Sequence, residues 1–278
     1  MTDKTKYSVY DHAFVICAYK ENKYLYECIS SLLAQHCKSD IYMSTSTPNK
    51  FIFDICTQYH IPVFTNTDEK GIASDWNFCM NIFPIKKLIT IVHQDDVYEP
   101  EYLEKIIEFA NKANNPLIIY TDYYEIRNGK KNSNWLLTIK RVMNFPLRFS
   151  VFQKSIKTRR FILSFGCPIC CPSVTYVKTN LPIPLFDTRF KNSCDYKAWE
   201  VLSREGGGVK GEFVYCPQKL VGHRIYEDSA TSTNIKDNSR KKEDMEILCE
   251  FWPKFFAKFI FYFYKHAEKS NRLSFNDI

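Results

Sequence analysis

Residues Leu88–Pro100 read LITIVHQDDVYEP, an apolar, β-prone run that passes almost directly into two adjacent carboxylates, Asp95 and Asp96. Adjacent like charges repel, so a strand that ends in them needs a reason, and a cation at that end supplies one. A divalent metal is the expected partner. The whole reading of the fold turns on whether this strand belongs to an alternating α/β series.

Outward from it, the series is present. Residues 13–19 (AFVICAY) read as a buried strand, and KYLYECISSLLAQ then places Tyr24, Leu25, Cys28, Ile29, Leu32 and Leu33 on one helical face. DIYMSTS (40–46) is a second strand. Pro48 suits the first turn of a helix that carries Phe51, Ile52 and Ile55 inward. PVFTN, GIASDWNFCMNIF and LITIVHQ give strand, helix and fourth strand. Pro100 and its flanking acidic residues open a helix that buries Leu103, Ile106, Ile107 and Ala110 and leads to the strand LIIYTDY. Strands alternating with helices imply an α/β fold with a mostly parallel sheet covered on both faces. In such sheets ligands bind beyond the carboxyl ends of the strands, where Asp95 and Asp96 stand.

The chain has 278 residues, 45% hydrophobic and 25% charged, with a formal net charge of +7. That composition is globular, and the basic excess favours an anionic partner. The 11 cysteines are an odd number, and many fall where a small hydrophobe would serve, such as Cys17 in a strand and Cys28 and Cys79 on helices. With the polar start MTDKTKYSVYDH, this points to a reducing compartment, and CPICC (167–171) lacks a second ligand pair for zinc. The expected location is the cytoplasm. No apolar run approaches the roughly 20 residues needed to cross a bilayer, so any membrane contact is expected to be peripheral, at the inner face of the plasma membrane.

Residues 132–165 change character: they hold seven Lys/Arg, no acidic residue and many aromatic or aliphatic side chains. Within 135–162 the cations are Lys140, Arg141, Arg148, Lys154, Lys157, Arg159 and Arg160, among Trp135, Leu136, Leu137, Phe145, Phe149, Phe152 and Phe161. The mixture suits anionic headgroups over an apolar boundary, with Lys157, Arg159 and Arg160 as the cations to test. The aromatic tail FWPKFFAKFIFYFYKHAEK reads equally well as packed or membrane-facing. The expected organisation is therefore a nucleotide-binding half (1–131), a basic amphipathic insertion (132–165), a catalytic half of the same domain (166–233) and a helical tail (234–278).

Only eight glycines are present, with neither G-x-G-x-x-G nor G-x-x-x-x-G-K-[ST], so nucleotide binding would run through carboxylates and a metal rather than a glycine cradle. Four landmarks line up in order: VICAYKENKYLYECISSLLAQ, GIASDWNFCMN, HQDDVYEP, and CDYKAW followed by GHRIYEDSAT. Together, over roughly residues 12 to 233, they resemble the inverting family 2 glycosyltransferases of the GT-A fold, of the type that builds bacterial polysaccharides and the cell envelope. The resemblance implies a nucleoside diphosphate sugar donor, a UDP-sugar above all, a glycan or lipid-linked acceptor, and Mn²⁺ or Mg²⁺. It puts Cys17, Ala18, Tyr19 and Glu21 at the nucleotide base. Asp75 and Asn77 match the family's G-x-x-x-A-R-N element, Asp75 standing where an arginine is common. His93, Gln94 and Asp95 match its D-x-D motif, with Asp95 as metal ligand and Asp96 beside it at the donor. Asp195 of CDYKAW takes the place of the general base, and Arg224, Ser229 and Thr231 fit the diphosphate element, Tyr226 replacing its usual histidine.

Two other readings compete. A nucleotidyltransferase of similar fold would open with a glycine-rich basic loop, which CAYKENKY lacks. A basic membrane- or nucleic-acid-binding module leaves the acidic edge at 95–96 unexplained, and exposed carboxylates impede polyanion binding. No nucleic acid is expected as partner.

Overall fold

The computed structural model describes residues 6–204, 209–226 and 239–269. Nine strands form one sheet: β1 (His12–Ala18), β2 (Asp40–Thr45), β3 (Val63–Thr65), β4 (Leu88–His93), β5 (Val97–Tyr98), β6 (Pro116–Arg127), β7 (Lys130–Asn132), β8 (Val174–Val177) and β9 (Glu212–Ile225). Their order is β3-β2-β1-β4-β8-β6-β9-β5, with β7 hairpinned onto β6. The first half is parallel, as the alternating pattern implies. Beyond β4 the sheet becomes mixed: β8 runs antiparallel to both β4 and β6, and β9 returns parallel to β6. The second half is mixed because β8 enters between β4 and β6 from a long connection rather than a βα unit.

Alternation along each strand feeds two cores, one on each face. Phe14, Ile16 and Ala18 of β1 join Leu88 and Val92 of β4 on the face covered by α1 (Leu25–Leu33), α2 (Lys50–Tyr59) and α4 (Tyr102–Lys112). Ala13, Val15, Ile89 and Ile91 join the opposite core with α3 (Ile72–Asn81). Cys28 and Cys79 are fully buried in these cores, filling the small apolar positions read from the sequence. Leu33 turns outward at 43% exposure, and Asn49 rather than Pro48 starts α2, its side-chain oxygen accepting from the Ile52 N–H at 3.0 Å.

Residues 132–165 form three short helices, α5 (Trp135–Asn144), α6 (Ser150–Gln153) and α7 (Ile156–Leu163). Four of the seven cations there face inward, and two of them meet carboxylates from outside the segment, which itself holds no acidic residue. Arg141 pairs with Asp122, Arg160 with the buried Glu200 at 3.3 Å, and Lys140 Nζ donates to the Tyr123 hydroxyl at 2.9 Å. Arg159 is 1% exposed, its guanidinium packed over the Phe213 ring. The neutralising groups lie elsewhere in the chain, out of reach of any reading of the segment alone. Arg148, Lys154 and Lys157 remain exposed.

The C-terminal third adds α8 (Cys194–Leu202), α9 (Ser239–Cys249) and α10 (Lys254–Lys269). Trp252, just before α10, donates its indole N–H to the Ser164 carbonyl and lies 6.0 Å from the Phe165 ring. The aromatic tail thus starts against the end of the insertion. No helix among the described residues is long and apolar enough to cross a membrane.

Candidate active site

β1 and β4 are neighbours in register, Cys17 opposite His93, so the loops leaving them open at the same edge. A reciprocal pair locks these loops together: the Tyr19 N–H donates to Gln94 Oε1 at 3.1 Å, and Gln94 Nε2 donates to the Tyr19 carbonyl at 2.9 Å. The Lys20 backbone takes a positive φ of 56° to make this turn, and its N–H donates to Thr47 Oγ1 at 2.6 Å. The result is a cleft of about 2340 Å³ whose wall includes Cys17, Tyr19, Glu21, Asp75, His93, Gln94, Asp95 and Asp195.

β9 completes the carboxylate end. The Arg224 N–H donates to Asp96 Oδ1 at 2.8 Å, its Nε to the Asp95 carbonyl at 2.9 Å, and its Nη2 to Glu27 at 2.6 Å. Tyr24 covers the Arg224 guanidinium at 4.1 Å. His223 Nδ1 lies 3.1 Å from Asp96 Oδ1. Asp96 is fully buried; burial alone would raise its pKa, yet the adjacent His223, with His93 and the Arg224 N–H, carries it below the usual value. The same pairing outweighs burial at His223 and raises its pKa. Asp96 and His223 are thus paired at the floor of the site, where each favours the other's charged form.

Asp95 differs from its neighbour. Burial first, and the Asp96 charge second, raise its pKa, and Tyr226 donates its hydroxyl to Asp95 Oδ2 at 2.9 Å. Asn22 Nδ2 donates in turn to the Tyr226 hydroxyl at 3.0 Å. The His93 ring stacks on Trp76 at 5.3 Å, burial keeps it towards the neutral form, and its Nε2 is buried with no hydrogen-bond partner.

Among the described residues, no group of three or more His, Cys, Asp or Glu side chains is placed to hold a metal ion by itself. One carboxylate does fit the way Mg²⁺ is held in phosphate-transfer sites, by one or two carboxylates with the substrate's phosphates completing the shell. Asp95 meets that requirement, and the orphaned His93 Nε2 is a polar atom awaiting a partner in the same wall.

Asp195 enters from the first turn of α8, where the helix dipole favours its charge. Its Oδ1 accepts from the Tyr196 N–H at 2.7 Å. Burial raises its pKa, opposed by the cations Arg240 and Lys140, both of which also line the cleft. The loop before it is clamped by α9: Glu243 accepts from the backbone N–H groups of Lys191, Asn192 and Ser193 at 2.9, 2.9 and 2.8 Å.

Four residues expected at the nucleotide sit elsewhere. Both amide atoms of Asn77 are taken by the 185–186 backbone: Nδ2 donates to the Phe186 carbonyl and Oδ1 accepts from the Leu185 and Phe186 N–H groups. Ala18 is buried at 2% exposure, and Asp96 and Arg224 form the layer beneath Asp95 rather than the cleft wall. Asp75 does line the cleft, where Ser46 Oγ and Asn66 Nδ2 hold its two oxygens at 2.9 and 2.8 Å. Ser229 and Thr231 lie outside the described residues. Sequence reasoning passed over Trp76, Asn22 and Glu27 although they lie inside the quoted landmarks: Trp76 and Asn22 line the cleft, stacked on His93 and bonded to Tyr226, and Glu27 meets it through Arg224. Tyr226 was visible as a departure from the family pattern, but its contact with Asp95 spans 131 positions.

A model of the family described as Glycosyl transferase family 2 matches residues 13–177. An uncharacterized glycosyltransferase of Rickettsia prowazekii is 25% identical over 226 residues, 80% of this chain and 66% of that protein, so the chain spans just under two thirds of it. Among solved structures, S. aureus TarS in complex with UDP-GlcNAc matches with a TM-score of 0.58 and 13% identity, over 88% of this chain and 72% of that one. The mannosyltransferase PcManGT of Pyrobaculum calidifontis, in complex with GDP-Man and Mn²⁺, matches with a TM-score of 0.58 and 11% identity, over 96% and 76%. At such identities these structures speak for the fold alone, and that fold is the GT-A arrangement of a curled mixed sheet flanked by helices.

Proposed function

The chain belongs to the glycosyl transferase family 2, and from that premise we propose that it transfers a sugar, with inversion, from a nucleoside diphosphate sugar to a hydroxyl of a glycan or lipid-linked acceptor. The observation that carries this reading is that one cleft is lined by two carboxylates of different setting, Asp95 at the end of β4 and Asp195 at the start of α8. The donor, a UDP-sugar as the sequence resemblance implies, lies along the β1 and β4 ends. There Tyr19 and Glu21 would flank the base, and Asp95 would hold Mn²⁺ or Mg²⁺ for the diphosphate. When bound, that cation offsets the negative charge that builds on the departing diphosphate.

Asp195 accepts the proton of the acceptor hydroxyl. The oxygen forms its bond to the anomeric carbon as the bond from that carbon to the diphosphate breaks, and the diphosphate leaves with the electron pair. The raised pKa, caused by burial, makes the Asp195 carboxylate a stronger base than an ordinary aspartate. Asp195→Asn is expected to slow transfer by about 10² to 10⁴ with donor affinity kept. Because the base must be ionised, wild-type kcat falls as pH drops through a pKa above the usual aspartate value. Weakened donor binding with unchanged transfer at saturation would move Asp195 to the nucleotide side. Peripheral membrane contact stays part of this proposal, now resting on Arg148, Lys154 and Lys157 and on the exposed rings beside them.

A further inference from the structure

The cleft has an apolar wall that donor chemistry does not require. α5 lines the cleft with the buried Leu136 and Leu137, with Met143, and with Trp135 and Ile139, which are left 57% and 43% exposed. α10 contributes Phe259, Ile260 and Phe263 to the same lining, and the two phenylalanines are about 60% exposed. Side chains of this size are seldom left in water in such numbers around one cavity unless they have an occupant.

The wall adjoins the candidate base. Lys140 lies on α5 between Ile139 and Met143, and with Arg240 it acts on the Asp195 carboxylate. An acceptor whose hydroxyl reaches Asp195 therefore meets cations first and apolar side chains next. We infer that the wall formed by α5 and α10 is an acceptor subsite for a hydrocarbon chain joined to an anionic group near the reacting hydroxyl. This rests on the reading of Asp195 as the base and narrows the acceptor to the lipid-linked class.

Calorimetric titration with decyl phosphate below its micelle concentration, beside butyl phosphate and inorganic phosphate, tests the subsite without turnover. Each methylene buried tightens binding about threefold to fourfold, so decyl phosphate is expected to bind at least roughly 10²-fold tighter than butyl phosphate. In Trp135→Ser/Phe259→Ser that ratio is expected to fall at least tenfold while nucleotide-sugar affinity is unchanged. Equal affinities for the two alkyl phosphates in the wild type, or an undiminished ratio in the variant, overturn the inference. So does a variant that keeps the ratio but loses vesicle binding or self-association, since the wall then faces a bilayer or a second copy. Chain-length dependence without nucleotide-sugar binding would instead retain the subsite and fault the donor reading.

Discussion

Asp95 and Asp96 are adjacent in the chain, yet one carboxylate faces the cleft and the other is buried against His223. In this doublet one carboxylate supports the other: Asp96 fixes the β9 backbone at Arg224, and Arg224 fixes the Asp95 carbonyl. Asp95→Asn is expected to abolish metal-dependent tightening of donor binding, a loss of several kcal/mol, with the unfolding midpoint of the apo protein unchanged. Titration of a nucleotide sugar with Mn²⁺ or with chelator measures it, and near wild-type metal dependence would remove Asp95 from the site. Tyr226→Phe deletes the hydroxyl that orients Asp95 and accepts from Asn22, and is expected to weaken metal affinity by about tenfold, the lower range for a supporting contact. The strand-end aspartates were legible from the sequence because an apolar run ending in charge has few structural explanations. Their division of labour was not, because it depends on residues 223–226, which reach them only through the sheet.

At the scale of elements, α8 presents Asp195 and α9 holds the loop in front of it. Glu243→Gln keeps the shape but weakens three hydrogen bonds to the 191–193 backbone, so the α8 start shifts relative to the acceptor. A shift of an ångström or less is expected to lower kcat by about tenfold to a hundredfold, with donor KM unchanged and recovery in Glu243→Asp partial. An equal loss of donor affinity would make the clamp merely structural. Glu200, fully buried on α8, ties Lys197, Arg204 and Arg160 into one network joining α7 to α8. Burial opposes its ionisation, but the cations prevail and its pKa lies below the ordinary 4.5. Its contribution is therefore fully present above about pH 4.5 and disappears as pH falls through the lower folded value. Glu200→Gln is expected to cost about 3 kcal/mol at neutral pH, as for breaking a buried pair, and the gap from wild type in denaturant melts is expected to narrow below pH 4.5. The helices themselves were readable from their apolar spacing. Lys197 and Arg204 stand at helical spacing from Glu200, but its pair with Arg160 and the Glu243 clamp join residues 40 to 52 positions apart, beyond the reach of spacing.

For the molecule as a whole, rings from two distant segments make a connected series: Phe161, Phe165, Trp252 and Phe256 lie within about 6.4 Å of one another in turn. The sequence showed two aromatic, basic stretches but could not show that they meet. It also could not show that four of the seven insertion cations serve the interior. Co-sedimentation with anionic vesicles is expected at low ionic strength, weakening with salt. Replacing Arg148, Lys154 and Lys157 by Gln is expected to reduce it by about 1 kcal/mol per cation; the same replacement at Arg160 is expected to lower stability instead. Binding that ignores all three changes would remove this face from membrane contact. The long parallel pairing of β6 with β9 has a consequence during synthesis. Asp95 is translated early, but the residues that seat it, Arg224 and Tyr226, emerge about 130 positions later. A ribosome-bound chain can fold β1 to β4 while the Asp95 carboxylate still lacks its seat, so a donor site built on Asp95 would arrive late and all at once. Half-made chains would then not sequester the cell's nucleotide sugars.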